Sequence, residues 1–168
     1  LSFISSLSPN SEAFAIFVNE KYAYKNTKGI LPNDVVKKIN SFVSLLKEKK
    51  TKEDISSFDI TEKQKCFIIK IKDKFESYWP QELGGGFYSY LKKSREINNV
   101  NFYPDSLDFE KDKLVSFFSQ FVFGFYLKSY TFDKYKTLNK DKINKKINFK
   151  IITQNKEKIE KKYKYYDS

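Results

Sequence analysis

KCFIIKIKD, residues 65–73, is a short β-branched and aromatic run bounded by charged residues. It reads as a strand in the middle of a sheet. Its neighbours set the fold class. Residues 34–50, DVVKKINSFVSLLKEKK, place Val35, Val36, Ile39, Phe42, Val43 and Leu46 at steps of one, three and four. That spacing makes one apolar helical face. Asn33 or Asp34 is positioned to cap this helix, and Lys47–Lys50 sit at the negative end of its dipole. Between helix and strand, TKEDISSFDITEKQ (51–64) is polar and turn-rich, with Ile55, Phe58 and Ile60 as anchors for a short edge strand.

Working outward, SEAFAIFVNE (11–20) is a compact apolar run and reads as another strand. Residues 75–96 start a helix near Trp79 and Pro80, proline being suited to a first turn. Gly84, Gly85 and Gly86 fall inside that helix, where each costs about 1 kcal/mol relative to alanine. A close backbone approach to a neighbouring element would offset the cost. NNVNFYPDS (98–106) is a strand ending at Pro104. A long helix follows from Asp108 to about Tyr130, with Leu114, Phe117, Phe118, Phe121, Val122 and Phe125 as its apolar stripe and Val115, Phe123 and Tyr126 widening it. Residues 145–154 form a last strand with Ile147, Phe149 and Ile151 on one face, and 155–168 a charged tail helix. Strands alternating with helices predict an α/β domain: three layers, a mixed and largely parallel sheet, helices on both faces.

Composition narrows the chemistry. The chain carries 32 basic and 21 acidic side chains, net +11. Arg95 is the only arginine, although bidentate phosphate and base contacts favour arginine. Lys, Asn, Ile, Phe and Tyr all have A/T-rich codons, so base composition accounts for much of the charge. There is no histidine, and the acids are scattered among lysines, so no spacing resembles a metal-ligand set. The single cysteine, Cys66, precludes an internal disulfide and fits a reducing compartment. It sits in an apolar strand without the histidine a catalytic thiol wants. ELGGGFYSY (82–90) lacks the Lys-Ser/Thr of a phosphate-binding loop and reads as packing glycine. The lysine-rich end reads as a solvated face, with polyanion binding as the sharper option. No apolar run approaches the ~20 residues of a membrane span. The opening LSFISSLSPN lacks the basic and apolar segments of a secretory leader, and the absence of methionine suggests a fragment. No catalytic, cofactor-binding or metal-ligating residue is assigned.

GFYLKSYTFDKYKT (124–137) interleaves aromatics with lysines, as a nucleic-acid strip would. Phe125 continues the buried stripe, so the stretch reads as a corner where the helix exits, with Phe132 and Tyr135 pinning the turn and Asp133 capping or pairing locally with Lys134 or Lys136. Its residues Gly124, Leu127, Tyr130, Phe132, Tyr135, Lys136 and Thr137 fill a G-x-x-L-x-x-Y-x-F-x-x-Y-K pattern and resemble the segment ending the last long helix in the N-terminal domain of leucyl (cytosol) aminopeptidases. QELGGG (81–86) is similar to the family's RxAGG, with Gln81 in place of the arginine. The resemblance implies a macro-domain-like fold over 1–154 and, over 155–168, the start of a linker helix toward a C-terminal catalytic domain absent from this chain. It further implies a non-catalytic role in a cytoplasmic, homohexameric hydrolase that releases N-terminal amino acids, supporting assembly and access to the active sites. The two divalent metals, zinc or manganese, would belong to the catalytic domain, leaving this chain inactive alone. The other reading is a macro-like module that binds a nucleotide, ADP-ribose or DNA. Neither reading involves a membrane.

Overall fold

The computed structural model describes residues 1–94, 97–136 and 146–168, except the side chains of 132–136. Arg95 and Thr137 therefore lie outside the described residues, as do the side chains of Phe132, Asp133, Lys134, Tyr135 and Lys136. Six strands form one sheet: β1 (Phe3–Ile4), β2 (Ala13–Val18), β3 (Ile55–Thr61), β4 (Gln64–Lys70), β5 (Asn99–Tyr103) and β6 (Asn148–Ile152). Their order is β1-β6-β5-β2-β4-β3. β2 runs parallel to both β4 and β5, and β1 runs parallel to β6. Only the β3–β4 hairpin is described as antiparallel. The sheet is thus mixed and largely parallel, as expected. β3 is an edge strand, as expected, and β1 forms the other edge. β4 is interior but only second from the β3 edge, while β2 and β5 hold the middle. β1 was not anticipated, because two residues carry no periodicity to read.

The chain divides into two compact units. One comprises Leu1–Lys74, Asn99–Phe109 and Phe149–Gln154. It holds the strands and helix α1 (Asn33–Glu48). All six residues of β2 are buried. Phe14, Ile16 and Val18 share a core cluster with Val35, Ile39, Val43 and Leu46 of α1. Each such side chain contributes roughly 1.5–3 kcal/mol on burial. The expected cap does not form: Asn33 and Asp34 fall inside the first turn, and Pro32 takes the capping position without a side-chain bond. Asp34 still places its charge at the positive end of the dipole.

The other unit comprises Phe75–Asn98, Glu110–Asn148 and Asn155–Ser168. It holds α2 (Trp79–Lys93), α3 (Lys111–Lys136) and α4 (Lys156–Asp167). Its core is aromatic. Phe87 lies 6.1 Å from Phe121 and 6.2 Å from Phe125, and Tyr88 meets Phe125 edge-on at 5.1 Å. Such pairs add about 0.5–1.5 kcal/mol each beyond area burial. In α4, Ile159 and Tyr163 are one turn apart and both buried. Burial, with Asp167 and Tyr126 nearby, pushes the Tyr163 phenol up to about 12.

α3 corrects the reading of residues 124–137. The helix starts at Lys111 rather than Asp108 and continues through Tyr130 to Lys136, so there is no corner there. No glycine or proline interrupts residues 125–136, and the Thr131 hydroxyl donates back to the Leu127 carbonyl at 2.7 Å, as helical Ser and Thr do. Helical periodicity then divides the stretch: Gly124, Phe125 and Ser129 are buried, while Tyr126, Leu127, Lys128 and Tyr130 are exposed. Tyr126 is therefore a rim residue and not part of the buried stripe.

Candidate functional site

Two places in the fold have the geometry to do something beyond packing. The first lies at the C-terminal ends of β2 and β5. The connection leaving β2 leads toward β4 on one side, and the connection leaving β5 leads toward β6 on the other. This makes a topological switch point, where open α/β sheets bind ligands. Here the turn after β5 is hydrogen-bonded to the end of β2. The 3-10 turn Pro104–Ser106 follows β5 and folds onto the end of β2. The Ser106 hydroxyl is fully buried; it accepts from the Phe17 N–H at 2.8 Å and lies within donating distance of the carbonyls of Tyr103 (2.7 Å) and Phe17 (3.1 Å). One side chain thereby extends the β2–β5 ladder beyond its last pair, Ile16 and Tyr103.

The loop after β2 is tied to the same turn. The Lys25 N–H donates to the Ser106 carbonyl at 2.8 Å, the Thr27 N–H donates to the Tyr103 hydroxyl at 3.0 Å, and Lys25 Nζ pairs with Asp108 at 3.4 Å. Burial, the main cause, and the nearby Asp105 charge raise the Tyr103 phenol, against the opposing pull of the Thr27 bonds. It stays protonated at neutral pH. Tyr22 enters this loop in the left-handed region (φ 61°), a conformation costing on the order of 1–3 kcal/mol for a bulky residue. Asn19 holds it there: its Oδ1 accepts from the N–H groups of Lys21 (3.0 Å) and Ala23 (2.9 Å), and its carbonyl accepts from Tyr22 (2.9 Å). Sequence reading missed Ser106 and Tyr103 as a pair. The end of the strand at Pro104 was visible, but the closeness of β2 to β5 was not.

The second place is where α2 meets α3. A Cβ on Gly84 would collide with the Phe121 carbonyl oxygen and lie 2.8 Å from its carbon and 3.0 Å from the Phe125 nitrogen. A Cβ on Gly124 would collide with the Gln81 carbonyl oxygen, 2.7 Å from its carbon. The glycine cluster and the aromatic stretch are therefore two halves of one crossing, with backbone against backbone. The packing reading holds for Gly84. At Gly86, by contrast, an added Cβ meets nothing within 4 Å. Above the crossing lies a groove of about 530 Å³ lined by Tyr78, Gln81, Gly85, Gly124, Leu127 and Tyr130, among others.

Cys66 is fully buried in β4, and desolvation pushes its thiol well above the ordinary range. Among the described residues, no group of three or more Cys, Asp or Glu side chains converges as a cation site would require. Nor is any helix among them long and apolar enough to cross a membrane.

No family model matches the sequence, and no curated protein sequence matches it. Solved structures do. The fold is macrodomain-like. A macrodomain, that of Thermus aquaticus DarG, aligns with 90% of this chain and 97% of its own length at TM-score 0.58 and 8% identity. A mutant tomato leucine aminopeptidase aligns over 99% of this chain at TM-score 0.58 and 14% identity. This chain spans 36% of the tomato enzyme's length. At such identities the likeness is one of fold.

Proposed function

We propose that this chain serves as a non-catalytic α/β domain of the kind that accompanies the catalytic domain in leucyl aminopeptidases, supporting assembly and access to active sites. One observation carries the reading: 99% of the chain aligns with only 36% of the tomato enzyme, so the part it resembles is a minor portion of a larger hydrolase. In this reading the two metals, zinc or manganese, reside elsewhere in a cytoplasmic hexameric parent that releases N-terminal amino acids. The test is a peptidase assay of the purified 168-residue chain with Leu-p-nitroanilide and manganese. The expected result is no turnover; robust metal-dependent turnover overturns the proposal.

The likeness to a macrodomain along nearly all of its length supports a second reading, a module for ADP-ribose or a related nucleotide. The +11 charge adds DNA as a partner for such a module. Phosphate-borne DNA binding would weaken steeply as salt rises, and no binding at about 50 mM salt removes it.

A further inference from the structure

We propose that the groove over the α2–α3 crossing is a self-association surface that joins two copies of this chain about a two-fold axis. This inference concerns the second unit alone and stands independently of the aminopeptidase reading. Four of the seven exposed large hydrophobic residues among those described, Tyr78, Tyr126, Leu127 and Tyr130, belong to α3 or the start of α2. Tyr78 is 59% exposed and Tyr130 60%. Tyrosines presenting this much surface are typical anchors of protein interfaces. The floor between them includes Gly85 and Gly124.

The charges favour a second copy as the occupant. The groove carries one acid on α2, Glu82, and one base on α3, Lys128. Both are exposed, and among the described residues neither forms an ion pair. In a two-fold contact each surface meets itself, so residue i faces j while j faces i. In the proposed contact α2 of one copy lies along α3 of the other, with Glu82 of each opposite Lys128 of the other. The exposed Tyr78 and Tyr130 lie within the same contact. A wholly acidic or basic groove would repel its twin; this one is complementary to itself.

The experiment is sedimentation velocity on the full chain, with charge reversals. The wild type, a 20.0 kDa chain, should sediment as a dimer at about 100 μM and dissociate on dilution. Glu82→Lys alone and Lys128→Glu alone should each weaken the dimer by about tenfold or more, because each creates two like-charge contacts. The double reversal should restore it, an outcome that a merely structural role for either residue would not produce. Tyr130→Glu should give a monomer with the wild-type circular dichroism spectrum. A wild type that remains monomeric at about 100 μM, or a double reversal as weak as the singles, overturns the proposal. Since both charged side chains are exposed, the reversals keep the test decisive even if the tyrosine variant misfolds.

Discussion

The switch point at the ends of β2 and β5 and the groove above the α2–α3 crossing are finished in opposite ways. At the first, polar side chains and main-chain groups turn inward and satisfy one another; Ser106 alone engages Phe17 and Tyr103. At the second, side chains are missing where the helices touch, and the tyrosines around the rim have no ring partner among the described residues. Internal hydrogen bonds satisfy the polar groups at the end of the sheet. Closure by glycine brings two helices together and leaves their outer surface available. The two proposals, a supporting domain and a surface for protein contacts, draw on this contrast.

The largest effect that could break this comparison is at the crossing. Gly84→Val should destabilise by about 3 kcal/mol or more in urea denaturation, since the added atoms meet the Phe121 backbone and cannot be accommodated by a rotamer change. A loss below about 1 kcal/mol would show that the helices are not in backbone contact. Next, Ser106→Ala should cost roughly 1–3 kcal/mol, because it leaves the buried Phe17 N–H without its partner. A neutral result would mean that water or a ligand reaches that group, reopening the switch point. Smaller, and of opposite sign, is Gly86→Ala. With nothing near its Cβ, it should stabilise by about 0.5–1 kcal/mol through helix propensity alone. Gly84 and Gly86 are two residues apart, so the pair separates contact from propensity.

A last effect appears only at high pH. The Tyr163 phenol is held at about 12 in the folded chain, above the ordinary tyrosine value of about 10. The folded state therefore keeps a proton that the unfolded chain gives up. The stability from this group is full below about pH 10 and is lost as pH rises toward about 12. Thermal melts should fall more steeply over that range for the wild type than for Tyr163→Phe. Equal slopes would mean that Tyr163 is not buried between α3 and α4.

Much of the fold was legible in the sequence because its signals are local. The apolar runs of β2 and β4 and the three- and four-step spacing in α1 and α3 each specify an element without reference to any other. β1 carries no such signal. The end of α3 was misplaced because aromatics crowded among lysines resemble a turn, although no helix breaker is present before Lys136. The sites were less legible for a different reason. Gly84 and Gly124 are 40 positions apart, and nothing local to either names the other. The role of Ser106 exists only once the topology has laid β5 beside β2. Tyr130 belonged to the aromatic stretch, but its exposure follows from the helix continuing past it.

The central proposal, that this macrodomain-like fold serves as a supporting domain and not as a nucleotide-binding module, is tested most directly by calorimetric titration of the purified chain with ADP-ribose. The account predicts no saturable heat with the chain at about 100 μM. A stoichiometric isotherm in the micromolar range, lost or shifted in Ser106→Ala, would contradict it.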